Sequence, residues 1–403
     1  MANIIGIVLF ALGIGVTIAL HEAGHMYSAR AFGMRVRRFS IGFGPKLVGF
    51  KAGKTEYSLA ALPVGGFCDI AGMIPNDENL TAEEAPHAMY KKPAWQRIVV
   101  MSGGIAVNIV LGFSILFGIA LTAGIPDMDV DIRPQVGAVT CSADQIGPDS
   151  FQECQGTGPA GRAGVQPGDV ILAVDGTKLE SFAQLRDAVI DSPGEPVVLT
   201  IERGGRELEM TVTPETVTRF NAEGQPFEAG SIGLVNKPLD IIVKHDNPVS
   251  AAVASAKYSA YMAKSTVIAI GQIPAKVPGI LASIFGAERA QDSPMSVVGA
   301  SRLGGELVER DLWASFFMML ASLNYFLALF NLIPLPPFDG GHIAVICYEK
   351  IRNLLRWARG LAPKGAVDYR GLMPITYVMA ALLMGFGALV IVADVVNPIR
   401  IFG

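Results

Sequence analysis

The chain has 403 residues, of which 51% are hydrophobic and only 17% charged, with a formal net charge of −4. An average soluble domain carries about 25% charged residues, so this chain is too apolar for water alone. Without a basic excess it lacks the electrostatic footprint of a nucleic-acid-binding protein, and its four cysteines are too few for a disulfide framework.

In chain order, residues 4–20 are uncharged and run directly into His21 and Glu22 before apolar character fades near Phe32. This predicts a spanning helix that carries polar residues. A signal peptide does not fit, because there is no basic leading region and no small-residue cleavage site. Residues 98–125, 312–338 and 371–393 contain no charge, and each is long enough to cross a hydrocarbon core of about 30 Å. Four spans are expected, within a multi-pass protein of the cell membrane.

Basic residues beside the spans set the orientation. Arg35, Arg37, Arg38, Lys46, Lys51, Lys54, Lys91, Lys92 and Arg97 lie between the first two spans, and Lys350, Arg352, Arg356, Arg359, Lys364 and Arg370 between the last two. Both loops are expected on the cytoplasmic side, with both termini and the long segment 126–311 outside.

Within that segment VILAVDG (170–176), VVLTIE (197–202) and ELEMTVTP (207–214) read as strands, the last two joined by a turn at Gly204 and Gly205. SFAQLRDAVI (181–190) reads as a helix capped by Ser181, with Phe182, Leu185 and Val189 on one face. The run PAGRAGVQPGDVILAVDG (159–176) resembles a PDZ domain of the bacterial protease type, a fold that receives a peptide as an added strand. Residues 248–286 are apolar but interrupted by Lys257, Lys264 and Lys276, which predicts helices at the membrane surface. A fifth span there would leave the basic flank of the last helix outside. The expected division is 1–125 for the first two spans, 130–236 for the PDZ domain, 237–311 for surface helices and linker, and 312–403 for the last two spans.

His21, Glu22 and His25 spell HEAGH, the HExxH pattern in which two histidines one helical turn apart can share a Zn²⁺. Glu22 is then the general base toward water. Two histidines and a glutamate in an apolar span cost several kcal/mol unless liganded or paired, so a functional site is the default reading. Zinc needs a further ligand from another span. From Ile4 to His21 a helix climbs about 25 Å, which puts HEAGH toward the cytoplasmic side. Asp339, after NLIPLPPF, reaches that depth, whereas Asp394 ends at the opposite face. Asp339 is therefore the expected ligand, and His342, three residues further on, is expected to support the site without joining it. Pro334, Pro336 and Pro337 forbid a regular helix just before Asp339. Such backbone is tolerated at membrane depth only inside protein or against a wet cavity.

HEAGH in a first span, a PDZ-like segment, and NLIPLPPFDGGH in a later span together resemble the site-2 protease family of intramembrane zinc metalloproteases. Within it they resemble the bacterial RseP-like proteins, in the single-PDZ form of actinobacteria. The resemblance covers nearly the whole chain and implies a polytopic α-helical membrane protein with an extracytoplasmic α+β PDZ domain. It implies that His21, His25 and Asp339 bind Zn²⁺, that Glu22 activates water, and that Asn331 helps hold the substrate. FSIGFGPKL (39–47) and LPVGGF (62–67) match the family's membrane-dipping β-loops, so Gly42, Gly44, Gly65 and Gly66 are the expected substrate-contacting glycines. The implied partners are the lipid bilayer and single-span membrane proteins such as anti-sigma factors, cut after trimming outside. The alternative is a membrane-embedded PDZ scaffold or chaperone with a non-catalytic metal site, against which the intact Glu22 argues. Cys141 and Cys154, in the segment expected outside, are expected to pair, and Cys68 and Cys347 to stay free.

Overall fold

The computed structural model describes all residues except 148, 149, 222–224, 240 and 400–403, and for Pro63 and Val64 it describes the backbone alone. The last expected domain therefore runs a few residues past what is described. The chain forms two compact units, Met1–Pro126 with Val243–Gly403, and Asp127–Ile242.

In the first unit α1 (Ala2–Ala31) runs without a break through HEAGH and stops where Gly33 takes a positive φ of 67°. A long β1 (Val36–Ala52) and β2 (Thr55–Ile70) follow as one antiparallel pair. The two short β-loops expected from the sequence are parts of these longer strands. Their register shifts let one segment serve twice, so that Ser40 faces Phe67 on one side and Ser58 on the other. Gly42 sits at the bend in β1 with a φ of 87°, a conformation L side chains resist. A Cβ there would also lie 2.9 Å from the carbonyl oxygens of Ala60 and Leu62. α2 (Ala94–Thr122) starts after Pro93 and runs back along α1.

The second unit contains the short helix α3 (Pro159–Arg162) and α4 (Phe182–Ile190), in which Ser181 Oγ accepts a hydrogen bond from Gln184 N as a cap. Its four-stranded sheet has the order 206–212, 197–203, 170–174, 177–178, and Leu199, Ile201, Ile171, Leu185 and Val212 fill the core beneath it. Strands 215–220, 226–231 and 234–236 also belong to this unit. Cys141 and Cys154 are paired, with Cα atoms 5.9 Å apart, and Cys68 and Cys347 are free.

The first unit resumes with α5 (Pro248–Ile284), capped by Asn247, then α6 (Val297–Glu309) and α7 (Trp313–Asn331). After the proline-rich segment come α8 (Asp339–Ala358) and α9 (Met373–Val396). Among the described residues five helices are long and apolar enough to cross a membrane, the fifth being α5. The lysines of α5 hid it from a count based on uncharged runs. At 37 residues it extends about 55 Å, and its two ends meet neighbours in a specific way. At its start, His245 N–H donates to Ala120 O near the end of α2. At its finish, Ile280 packs on Val390 and Ala393, and Asn397 Nδ2, just past α9, donates to Ser283 O.

Helix order in the bundle follows from side-chain pairs. Phe10 meets Phe316, Leu320 lies against Gly13, and Asn324 Nδ2 donates to Thr17 Oγ1, so α1 and α7 run in the same direction. Glycines let the axes approach: a Cβ on Gly103 would strike the carbonyl of Gly24, and one on Gly6 would lie 2.8 Å from Gly305 Cα.

Candidate metal centre

The parallel run of α1 and α7 carries HEAGH and Asp339 to one level. His21 Nε2 and His25 Nε2 are 3.3 Å apart, and Asp339 Oδ2 lies 3.4 Å from the first and 3.3 Å from the second. A tetrahedral site with ligand bonds of about 2.0–2.1 Å has edges of about 3.3–3.4 Å. The three atoms thus form one face of such a site.

The surroundings supply what zinc ligands need. His25 Nδ1 lies 2.8 Å from Val100 O and can only donate to it, which leaves the Nε2 lone pair facing the cluster. His21 Nδ1 lies 3.2 Å from the side-chain amide of Asn108, whose Oδ1 otherwise has no partner. With that oxygen turned to the ring, Nδ1–H donates to it, and His21 too presents Nε2. Asp339 Oδ2 is buried without a hydrogen-bond partner of its own. Three electron-rich atoms so close together are mutually repulsive without a cation, and two imidazoles with one carboxylate are a donor set that suits zinc. Among the described residues this is the one His/Cys/Asp/Glu group compact enough to hold a metal.

Glu22 points into the same space. It is within electrostatic reach of His21, His25 and Asp339 and lies near the backbone of Cys68. A Cβ on Gly66 would lie 3.0 Å from Glu22 Cγ, so the 65–70 strand runs beside the base. That strand pairs with residues 36–41 along one edge, and at Gly66 its face is turned to Glu22 and Ile18 of α1.

The structure does not gather every expected residue. Gly42 and Gly44 have Ala60 and Leu62 as their nearest neighbours, well along the hairpin. Asn331 closes α7, eight residues before Asp339. His342 is outside the three-residue cluster, stacked on Tyr369 with ring centres 5.6 Å apart. Asp394, the rejected rival, is buried in an ion pair 2.7 Å from Arg289. Sequence reasoning passed over Asn108 and Gly104, both close against the histidines. A lone asparagine in an uncharged span was the available signal.

Two cavities complete the picture. One of about 510 Å³ adjoins the Asp339 segment and is lined by Asn76, Pro336, Gly341, His342, Tyr369 and Thr376. The other, of about 710 Å³, lies within the second unit between α4 and residues 230–235, with Phe151 and the Cys141–Cys154 pair on its rim.

Residues 9–361 match Peptidase family M50. The chain is 44% identical to the zinc metalloprotease Rip1 of Mycolicibacterium smegmatis, over 99% of both chains. It is 40% identical to the zinc metalloprotease Rip1 of Mycobacterium tuberculosis, over the full length of both. Among solved structures it is similar to the PDZ domain of an SdrC-like protein of Listeria monocytogenes, 18% identical with a TM-score of 0.18, covering 27% of this chain and 90% of that one.

Proposed function

The chain belongs to peptidase family M50 and is a membrane-embedded zinc metalloprotease acting on substrates within the bilayer, and from that premise we propose the roles of its residues. His21, His25 and Asp339 hold the zinc, and Glu22 is the general base. The observation that carries this is the triangle of ligand atoms with edges of 3.3–3.4 Å and a carboxylate beside it. When bound, zinc supplies a Lewis acid that polarises the scissile carbonyl and acidifies water. Glu22 takes the proton from the attacking water and returns it to the leaving amine. Val100 O and Asn108 hold the two imidazoles in the tautomer that keeps Nε2 available.

A helical substrate hides its carbonyls in its own hydrogen bonds, so a segment has to be unwound first. The unpaired edge of strand 65–70 beside Glu22 offers backbone partners to such a segment, and the missing Cβ of Gly66 lets Glu22 and Ile18 of α1 lie close against that strand while that of Gly65 admits Phe43. Gly42 and Gly44 act one step away by shaping the hairpin, and Asn331 faces the substrate from the end of α7. The physiological substrates are single-span membrane proteins, with anti-sigma factors the expected class.

The topology that fits best has four spans, α1, α2, α7 and α9, with the active site toward the cytoplasm and residues 127–242 outside as a PDZ-type domain. α5 starts and ends on the outer side and dips into the bundle between, where Tyr325 Oη of α7 donates to Ser259 Oγ and Met262 packs with Ala321 and Tyr325. Supporting this, its two ends both touch helix ends remote from the zinc ligands, whereas a span joins opposite ends.

The experiment is Glu22→Gln in the purified full-length protein. Zinc content should remain at wild-type level while cleavage of a transmembrane substrate falls by at least about 10³-fold. A variant that keeps its zinc and cuts at the normal rate removes Glu22 from the mechanism.

A further inference from the structure

α8 carries more than Asp339. At 100° per residue, Cys347, Tyr348, Ile351, Leu354 and Leu355 fall within one arc of about 120°. The four large side chains among them, with Trp357, are each more than half exposed. This apolar arc points away from the bundle, because the opposite face is the buried one: Ile346 packs with Met26, Val100 and Met101, and Glu349 is buried.

The borders of the arc are cationic. Lys350 and Trp357 line one side, and Arg359 and Arg352 the other. The helix has no exposed acid to offset them, since Glu349 is held by Arg97 at 2.6 Å and by the backbone N–H of Val367. The remaining flank is covered by the chain's own return loop: Arg356 Nε donates to Ala362 O, Arg352 donates to Lys364 O, and Asn353 Oδ1 accepts from Lys364 N. What stays open is the apolar arc with its cationic rims.

The helix is tethered at both ends to membrane helices, by residues 332–338 to α7 and by 359–372 to α9, so it cannot leave the bilayer surface. An apolar face with lysine and arginine at its edges and tryptophan at the boundary suits the headgroup layer. Cations without counter-charges select anionic lipid there.

We propose that α8 is a surface-seated helix that binds anionic phospholipid of the inner leaflet. Its apolar arc inserts among the acyl chains, and Lys350 and Arg359 engage the headgroups. Because Asp339 is its first residue, the seat of α8 fixes the depth of the ligand cluster in the bilayer; this consequence rests on the metalloprotease reading, while the lipid contact does not.

Cys347 sits within the arc and is exposed, so it can carry a nitroxide label, with the Cys347→Ser protein correcting for label on Cys68. The full chain is placed in nanodiscs of phosphatidylcholine alone, or with 30% phosphatidylglycerol. The ratio of label accessibility to oxygen over a water-soluble nickel chelate is expected to rise severalfold with the anionic lipid. Each cation near an anionic leaflet strengthens seating by about fivefold, so Lys350→Gln with Arg359→Gln should return the ratio toward its value in phosphatidylcholine, with zinc content unchanged. A label equally open to the nickel chelate in both lipids would overturn the proposal in favour of a protein-docking face. A label equally buried in both, and in the double variant, would overturn the requirement for anionic lipid. Neither readout depends on proteolysis, so loss of the protease reading and loss of the lipid contact are separable.

Discussion

Replacing Asn108 with alanine removes the group that faces His21 Nδ1 and leaves the ring free to turn or change tautomer. Zinc affinity should fall by about 10–100-fold, as measured by competition with a chromogenic chelator, while helix content stays constant. In the second unit, Asp169 illustrates a different control. Burial pushes its carboxyl up, but Arg203, donating from Nε at 2.7 Å and Nη2 at 2.6 Å, and the backbone N–H of Gln166 hold it below the usual carboxylate range. A depressed carboxylate stabilises the fold above its unfolded value of about 3.9, and that contribution is lost as pH falls through the lower folded value. Arg203→Ala should therefore destabilise the unit at pH 7, because it leaves the Asp169 carboxylate without its partner. Calorimetry should find the gap from wild type narrowing below about pH 4, and a gap that stays constant down to pH 2 would contradict the assignment. These residues differ in how far they could be read in advance. His21 and His25 are legible because helical spacing is local, and Asp339 follows from counting depth along two spans. Asn108 depends on where α2 crosses α1, which no spacing rule encodes.

That crossing is set by glycine. A Cβ on Gly104 would lie 2.5 Å from His25 Nε2 and 2.6 Å from His21 Cε1, so Gly104→Ala pushes α2 off the histidines or the histidines off their positions. Overpacking of this kind costs about 1–3 kcal/mol. The expected result is a folded protein with reduced zinc occupancy by metal analysis; full occupancy would mean that the helices can separate without disturbing the site. At this scale the long apolar helices α1, α2, α7 and α9 were legible as uncharged runs, and α4 as a capped amphipathic stretch. α5 was legible as apolar helix but not as one continuous element, because its lysines break the hydropathy signal while Pro274 and Pro278 lie inside the helix. α8 was missed altogether: its apolar arc is interleaved with arginines, so composition hides what angular position reveals. The extent of β1 and β2 was also underestimated, since their exposed apolar side chains, among them Phe43, Val48 and Phe50, do not alternate as in a half-buried strand.

For the molecule as a whole, the proposed separation of an outer domain from an inner active site assigns selection to one and chemistry to the other. Replacing residues 127–242, the complete second unit, with a flexible linker should leave zinc content unchanged and permit cleavage of a substrate whose outer portion has not been trimmed. Equal slowing of trimmed and untrimmed substrates would instead make the domain a recruiter. Such a filter is needed because of the strand beside Glu22. A sheet edge recognises the peptide group, which every residue shares, and takes little notice of the side chain attached to it. Substrates of this enzyme should therefore have no consensus sequence around the cut. What they should share is a low cost of helix opening, so that glycine or proline near the scissile bond outweighs the identity of any flanking residue.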